Sequence, residues 1–333
     1  MRDQLPAPEI AQFRDQLVEL GRVHPDELIE PLSGGVSGIV VLAHHSPEPF
    51  VAKTARPRLA VEDDWFADTS RTYREAQILS LLDGSLGGIR VPRVVFFDEP
   101  SNILAIEAFV PVPPTWKDQL LESKFDSSIV EAVAGAVAAL HRLAPPPTLD
   151  RTLGAELFDD LRLDPYYRWV AQAHPGLAPS LNELIDSTLS VDAPTLVHGD
   201  VSPKNVLVTE QGPVLLDFEV IHVGDPAFDL GMLMAHLTLK ALFHGGSPTG
   251  ESLSDAVLDF WAHYQDHGGP ADEGRVARHL GGVMLARILG KSKVSYLTSI
   301  QSESAVRLGT AFVAGLIALG DAPRSIRLEL ECL

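Results

Sequence analysis

The stretch that decides how this chain is interpreted is HGDVSPKNVL at residues 198–207, followed by LDFE at residues 216–219. It places one carboxylate, Asp200, five residues before the amide of Asn205, and a second carboxylate, Asp217, follows later. A carboxylate that accepts a proton from a substrate hydroxyl has to lie near the transferring phosphate, and Mg²⁺ has to neutralise the phosphate charge. Amide and carboxylate oxygens suit this hard cation. The pattern therefore indicates a phosphoryl-transfer site with Asp200 as the base and Asn205 and Asp217 as metal ligands.

The chain between these residues predicts a β-hairpin. Residues 205–208 and 214–216 are short apolar runs, and the segment 210–213 supplies a turn between them. A hairpin of this length carries Asn205 and Asp217 to the same end, so that both reach one metal ion.

These residues resemble the catalytic segment of the small-molecule branch of the protein-kinase-like phosphotransferases. This branch includes aminoglycoside phosphotransferases, choline kinases and 5-methylthioribose kinases. In these families the motif H-G-D-x-x-x-x-N is followed by a strand that ends in a metal-binding Asp and then by D-P-x-x-D-L. This chain carries the last element as DPAFDL at residues 225–230. The resemblance implies that ATP donates the phosphate and that Mg²⁺ assists the transfer.

The length of the chain and the resemblance together indicate two lobes. A chain of 333 residues exceeds what one hydrophobic core usually supports. The resemblance implies an α+β fold of the two-lobed protein-kinase-like type. Its N-terminal nucleotide-binding lobe, residues 1–110, would hold an antiparallel sheet plus a helix. Its C-terminal lobe, residues 111–333, would be mainly helical and carry the catalytic and substrate-binding residues.

Composition narrows the range of partners. The net charge of −19 disfavours nucleic acid and anionic membrane surfaces, because both repel such a field. The longest apolar stretch near the C-terminus, residues 308–319, is too short to span a bilayer. The single cysteine, Cys332, cannot form an internal disulfide and fits a reducing compartment. We therefore expect a cytoplasmic enzyme that acts on a small hydroxylated molecule, and a homodimer is compatible with the sequence.

The first lobe carries a glycine-rich joint, which is the loop of residues 33–38 that connects the first two predicted strands. The strands are expected at 27–32 and 39–44, and a third at 50–54. The joint resembles the phosphate-covering loop of the kinase-like fold, although it lacks the G-x-G-x-x-G spacing of protein kinases, and a plain hairpin turn is the alternative. Glycines let backbone N–H groups approach a phosphate closely. The residues expected to approach ATP here are Gly34, Gly35, Ser37 and Gly38.

A lysine and a glutamate complete the expected nucleotide site. Lys53 lies in the third predicted strand, and Glu75 lies in a helix that the periodicity predicts over 68–82. The resemblance implies an ion pair between them, with the lysine reaching the α- and β-phosphates. A solvated lysine at a strand end and a glutamate on an exposed helical face are the alternatives.

Two more strands are expected at 93–97 and 103–107, and the proline-rich segment 111–114 follows them. We expect this segment to connect the lobes. The resemblance implies that backbone groups from Glu107 to Phe109 recognise the edge of the adenine.

Helical periodicity dominates the second lobe. Ser128 and Glu131 have the spacing of a capping box at the start of a helix that ends before Pro145. The periodicity predicts four further helices, at 228–243, 253–266, 275–289 and 304–319.

Four side chains near the motif are assigned from their position in the pattern. We expect His141 and His198 to be structural, with His198 holding Asp200 in place. Asp229 is expected to orient the catalytic loop without contacting substrate. Glu219 stands where protein kinases have the glycine of D-F-G, and it binds either a second Mg²⁺ or only water.

The acceptor is the least determined part of the hypothesis. Segments 116–121 and 286–291 look similar to parts of 5-methylthioribose kinases, which favours Trp116, Arg287 and Lys291 as contacts of a sugar-like acceptor. Those kinases have two adjacent arginines where this chain has only Arg287, so the same sugar cannot be assumed, and an ordinary salt bridge is the alternative. The acidic composition would also suit an aminoglycoside.

Two other functions are disfavoured. Only four residues, 220–223, separate Glu219 from the segment that begins at Gly224, which leaves no room for the activation loop of a protein kinase. A catalytically inactive nucleotide-binding pseudokinase would lack the base or the metal ligands, and this chain retains them. The sequence leaves open the identity of the acceptor, the number of metal ions, the choice between ATP and GTP, and the oligomeric state.

Overall fold

The computed structural model describes residues 7–32, 38–44, 48–59 and 65–333. The chain divides into two compact units. The first contains residues up to Ser85 and Val91–Pro113, and the second contains Leu86–Arg90 and Pro114–Leu333. The predicted α+β class, with an antiparallel N-terminal sheet and a helical C-terminal region, is confirmed. The assignment of nucleotide binding to residues 1–110 and of catalysis to residues 111–333 stays a prediction.

The β-strands, numbered along the chain, form three sheets. They are β1 (Ile29–Pro31), β2 (Gly38–Ala43), β3 (Phe50–Ala55), β4 (Ser85–Leu86), β5 (Ile89–Arg90), β6 (Val94–Asp98), β7 (Ile103–Glu107), β8 (Thr195–Val197), β9 (Val206–Thr209), β10 (Gly212–Leu215) and β11 (His222–Gly224).

The α-helices are numbered in the same way. They are α1 (Ala7–Glu19), α2 (Arg71–Leu82), α3 (Trp116–Leu121), α4 (Ser127–Arg142), α5 (Arg151–Phe158), α6 (Trp169–Ala173), α7 (Ala178–Leu189), α8 (Ala227–His244), α9 (Pro248–Asp266), α10 (Glu273–Leu289), α11 (Ser299–Val313) and α12 (Ala322–Leu330). A π-helical segment, Asp159–Arg168, joins α5 to α6.

The first unit is built on a five-stranded antiparallel sheet. Its strand order is β1-β2-β3-β7-β6, so strands that follow one another in the sheet's part of the chain pair with each other, except that β3 pairs with β7 and not with β6. Alternating side chains of the strands, such as Val41, Phe50 and Ala105, form a buried cluster with Phe13 and Leu17 of α1. The sequence prediction missed α1 and placed the five strands of this sheet within one or two residues.

The second unit is mainly helical around two small sheets. One sheet has the order β4-β5-β10-β9, and β8 pairs with β11 in the other. Helix α8 is buried from Ala227 to Leu242. It packs against α9 and α10, so it forms the centre of this unit.

Three sequence predictions about helix boundaries were wrong. The capping box at Ser128 and Glu131 does not form, because Asp126 accepts the hydrogen bond from the Ser128 N–H and α4 begins at Ser127. The helix expected at 304–319 is α11, Ser299–Val313, since a capping box starts it at Thr298. The helix expected from residue 68 begins at Arg71 after a turn. Periodicity locates the apolar stripe of a helix, whereas the caps decide where the helix begins.

Close contact between α8 and α10 depends on a glycine. A Cβ at Gly231 would come within 2.4 Å of the Cβ of His279 and within 2.7 Å of its backbone carbon. A methyl group there has to push the two helices apart.

We expect Gly231→Ala to lower the free energy of unfolding by about 1–3 kcal/mol, the usual cost of overpacking. Thermal denaturation measures this as a lowered Tm. Gly176→Ala is the control, because a Cβ at Gly176 meets nothing within 4 Å. Equal Tm values for the two variants would contradict the close packing of α8 on α10.

Candidate active site

A hairpin brings the two candidate metal ligands of the second unit together. Strands β9 and β10 pair in antiparallel register with Val206 opposite Leu215. One residue beyond this pair, the Leu216 N–H donates to the Asn205 carbonyl at 2.8 Å. Asp217 follows directly, so it lies beside Asn205 at the end of the hairpin, as the sequence predicted.

The turn of this hairpin is tighter than expected. It consists of Glu210 and Gln211 alone, because β10 already begins at Gly212. Gly212 has φ 106°, a conformation that favours glycine. The Thr209 hydroxyl donates to the Gly212 carbonyl and accepts from the Gln211 N–H, which fixes the turn.

Asp200 is buried and surrounded by donors. The Asn205 side-chain amide donates to the Asp200 Oδ2 and to its backbone carbonyl, both at 2.9 Å. Lys204 Nζ lies 2.9 Å from the same Oδ2, and Arg162 Nη2 lies 3.2 Å from it. Burial alone would raise the pKa of Asp200, but the charges of Arg162 and Lys204 lower it well below its usual range. Asp200 is therefore a carboxylate at physiological pH.

Sequence reasoning missed Arg162. It is nearly buried in the π-helical segment, and besides Asp200 it contacts two carbonyls, with Nε donating to Gly199 at 2.6 Å and Nη1 to Leu161 at 2.7 Å. Arg162 lies 38 residues before Asp200 and outside any motif. Only the fold brings them together.

Asp229 fixes the loop that carries Asp200. Its Oδ2 accepts from the His198 N–H and its Oδ1 from the Gly199 N–H, both at 2.8 Å. His141 Nε2 lies 3.1 Å from Oδ2, and Nδ1 of the same ring contacts the Tyr264 hydroxyl at 2.9 Å. Burial would raise the pKa of Asp229, but the hydrogen bond and charge of His141 lower it. Both predicted roles, loop orientation by Asp229 and a structural His141, agree with these contacts.

His198 is held as a neutral ring. Its Nδ1 accepts from the Asp200 N–H at 3.2 Å, which assigns the proton to Nε2, and Nε2 donates to the Leu216 carbonyl at 3.0 Å. The ring packs 4.5 Å from that of Phe218. Burial lowers the pKa of His198 despite nearby carboxylates. The ring therefore ties the Asp200 loop to the Asp217 segment and carries no proton for catalysis.

Asp217 and Glu219 occupy a strained turn. Asp217 has φ 71°, in the left-handed region, and caps the short 3₁₀-helix Phe218–Val220 that contains Glu219. A non-glycine residue in this conformation is uncommon and occurs often at functional sites. The described residues contain no cluster of three His, Cys, Asp or Glu side chains that could hold a metal ion. One amide and one carboxylate are the oxygen ligands that a hard cation such as Mg²⁺ prefers. Metal binding by Asn205, Asp217 and Glu219 stays a prediction.

In the first unit, the predicted ion pair between Lys53 and Glu75 is formed. Glu75 is buried on α2, while the Lys53 side chain on β3 remains 16% exposed. The alternative for Glu75, an exposed glutamate on a solvated helix face, is wrong because the side chain is buried.

The glycine-rich joint is only partly described. Gly34, Gly35 and Ser37 lie outside the described residues. Gly38 opens β2, where a Cβ would come within 2.4 Å of the Thr54 carbonyl oxygen, so this position requires glycine. Glu107 ends β7 and Phe109 follows it. The nucleotide contacts of all these residues stay predictions.

The three residues expected at the acceptor differ in exposure. Trp116 is fully buried at the start of α3, and this burial favours a structural role. Lys291 lies 4.5 Å above the ring of Trp169. Arg287 is half-buried in the last turn of α10 and donates to the Ser292 hydroxyl at 2.7 Å.

Comparisons with known proteins place the chain in a family. A family model described as the phosphotransferase enzyme family, APH, matches residues 28–276. A probable ketoamine kinase of Thermus thermophilus is 30% identical over 175 residues, 48% of this chain and 57% of that protein. A methylthioribose kinase of Escherichia coli is 21% identical over 263 residues, 70% of this chain and 62% of that protein. The chain thus spans about three fifths of the length of these two relatives.

One solved structure supports the fold. A choline/ethanolamine kinase family protein of Mesorhizobium loti superposes with a TM-score of 0.55 at 14% identity, covering 96% of this chain and 99% of that chain. Together with the family match, this confirms the resemblance that the motif indicated. No helix in the described part of the chain is long and apolar enough to cross a membrane.

We expect Asp229→Ala to lower the free energy of unfolding by about 3–5 kcal/mol, because it leaves His141 and two backbone N–H groups buried without their acceptor. The contribution requires the ionised carboxylate. Since the pKa of Asp229 is lowered on folding, the difference from wild type is full above about pH 4 and decreases as the pH falls through the folded pKa. Denaturation at pH 7 and pH 3 measures it. Asp192→Ala, at an exposed position, is the control, and an equally small effect of both changes would contradict the role of Asp229.

Proposed function

This chain belongs to the phosphotransferase enzyme family, and from that premise we propose that it transfers the γ-phosphate of ATP to a hydroxyl of a small, sugar-like molecule. The observation that carries the proposal is the environment of Asp200. This buried carboxylate is fixed at one oxygen by Asn205, Lys204 and Arg162, beside the two candidate metal ligands.

Asp200 acts as the acceptor of the hydroxyl proton. The donors all approach Oδ2, and we assign Oδ1 to the acceptor hydroxyl. A carboxylate with so low a pKa is a weak base, so it orients the hydroxyl first and takes the proton late, when bond formation to phosphorus has made that oxygen acidic. This order suits the loose transition state of phosphoryl transfer, in which positioning and electrostatics supply most of the rate enhancement.

Asn205 and Asp217 hold the metal ion. The Asn205 amide nitrogen donates to Asp200, which leaves its Oδ1 for Mg²⁺. Asp217 presents a carboxylate one residue beyond the backbone contact between Leu216 and Asn205. The metal ion would neutralise the phosphate charge when bound. Glu219 remains either a ligand of a second metal ion or a contact to water.

We assign ATP binding to the Lys53–Glu75 pair, to the glycines of the joint and to the backbone from Glu107 to Phe109. The buried carboxylate of Glu75 orients the Lys53 ammonium, which lies partly open to solvent and suits the α- and β-phosphates.

A small acceptor is favoured over a protein. The two curated relatives are named for kinases of sugar-derived compounds, which supports a sugar-like acceptor at Arg287 and Lys291. The short connection between Glu219 and Gly224 provides no activation segment on which a peptide could bind. A pseudokinase is disfavoured because the base, both metal ligands and the ion pair are retained.

We expect Asp200→Asn to lower turnover by about 10²- to 10⁴-fold, the usual contribution of a general base, while ATP binding remains. A coupled assay of ADP release with a panel of hydroxylated metabolites and aminoglycosides measures turnover and identifies the acceptor. Asp192→Asn, which removes one charge at an exposed position, is the matched control. A loss of less than tenfold would remove Asp200 from its assigned role.

We expect Asp217→Ala to weaken Mg²⁺-dependent ATP binding more than Asp200→Asn does, since only Asp217 is assigned to the metal. Calorimetric titration of ATP with and without Mg²⁺ measures both variants. Equal affinity of the two variants for Mg-ATP would contradict the assignment of Asp217 to the metal ion and of Asp200 to the hydroxyl proton.

A further inference from the structure

We propose that the acceptor carries a negatively charged group, a carboxylate or a phosphate, and that Lys240, Arg287 and Tyr296 bind it. This inference rests on the proposed function and specifies its substrate class. It arises from three donor groups of the second unit, the Lys240 ammonium, the Arg287 Nε–H and the Tyr296 hydroxyl, which have no anionic partner among the described residues.

Lys240 is a buried amine that has no carboxylate partner among the described residues. It lies on α8 with 1% of its surface exposed. Its Nζ is 3.4 Å from the His236 carbonyl oxygen and 5.6 Å from the centre of the Tyr296 ring. No carboxylate of the described residues forms an ion pair with it. An ammonium taken out of water costs several kcal/mol unless it is paired, so Lys240 in its charged form favours the binding of an anion here.

Tyr296 lies against Lys240, and Arg287 on the neighbouring helix α10 adds a second cation whose charge acts on Lys240. Arg287 uses Nη1 for the Ser292 hydroxyl, but its buried Nε has no hydrogen-bond partner among the described residues. The hydroxyl of Tyr296 is likewise buried without a partner there. The Tyr296 ring is held 5.5 Å from that of Phe243, which fixes its position. An ammonium, a guanidinium and a phenol are the groups that recognise carboxylate and phosphate oxygens.

The positive charges act on one another. Burial, and then the charges of Lys117 and Arg287, lower the pKa of Lys240 to about 7. Burial, and then the charges of Lys240 and Arg287, lower the pKa of His236 well below its usual value. An anion among these groups would relieve their repulsion. Arg287 and Tyr296 are half-buried and Lys117 is exposed, so the group reaches solvent.

The site lies near the proposed base. The charges of Asp200 and Lys204 also act on His236, which is one helical turn before Lys240 on α8. An anionic end of the acceptor would find opposite charges at Lys240 and Arg287. A cationic acceptor such as an aminoglycoside would instead place like charges beside Lys240 and Arg287.

Four compounds with the same six-carbon chain test the charge of the acceptor. They are D-sorbitol, D-gluconate, D-sorbitol 1-phosphate and 1-amino-1-deoxy-D-sorbitol, and they differ only at C1. In calorimetric titrations of the full chain, we expect at least one anion to bind tenfold or more tightly than sorbitol, and the amine to bind most weakly. The stronger of the two anions identifies carboxylate or phosphate as the group recognised.

Two variants connect this preference to the residues. We expect Lys240→Met and Arg287→Met each to reduce anion affinity at least tenfold, whereas Lys293→Met, at an exposed lysine, does not. Binding at pH 7.5 should also take up a fraction of a proton, because the anion raises the pKa of Lys240, and this uptake should vanish in Lys240→Met. Two variants are used, so that if one of them does not fold, the other still tests the inference.

The inference is overturned if the amine binds as tightly as the anions, if neither anion binds, or if no folded variant loses affinity. The experiments distinguish a failure of this inference from a failure of the proposed function. ADP release that depends on Asp200 but shows no preference for anions would keep the kinase and reject the anion site. Tight, Lys240-dependent anion binding without ADP release from any acceptor would do the reverse.

Discussion

The carboxylate of Asp229 is the constraint on which the second unit depends. It accepts hydrogen bonds from the backbone N–H groups of His198 and Gly199, and these bonds hold the turn before Asp200 in one conformation. His198 then extends the constraint, because its ring bonds to the backbone of Asp200 on one side and of Leu216 on the other. The proposed base, Asp200, and the segment of the proposed metal ligand, Asp217, are thereby fixed relative to each other before any substrate binds. Such preorganisation is what phosphoryl transfer requires of the protein.

The charge of the whole chain and the charge at the site have opposite signs. The sequence has a net charge of −19, which by itself would suit a cationic acceptor. Around Asp200 and on α8 and α10, however, the structure has Arg162, Lys204, Lys240 and Arg287. The field of buried groups is screened less than that of the surface, so in the proposed site these local cations would affect the choice of acceptor more than the net charge does.

The features that the sequence predicted correctly are those that a local pattern of residues encodes. The hairpin between Asn205 and Asp217, the helix that carries Glu75 and the strand that carries Lys53 follow from periodicity and turn residues. Arg162 and Lys240 could not be found in this way, because each acts through contacts between segments distant along the chain. The sequence also did not predict the helices between α4 and β8, because Pro165 and the polar residues of the π-helical segment interrupt helical periodicity. Trp116 was chosen for its chemistry, and only the structure reveals its complete burial.

The central claim is that Asp200 directs the γ-phosphate of ATP to the hydroxyl of a small molecule. Phosphorus NMR of a reaction with ATP, Mg²⁺ and a pool of hydroxylated carboxylates and sugar phosphates tests it most directly, because it distinguishes transfer to an acceptor from hydrolysis. The expected result is a new phosphomonoester signal that grows in step with ADP for the wild-type chain and is absent for Asp200→Asn. ADP accompanied only by inorganic phosphate, or the same phosphomonoester signal from both proteins, would contradict the claim.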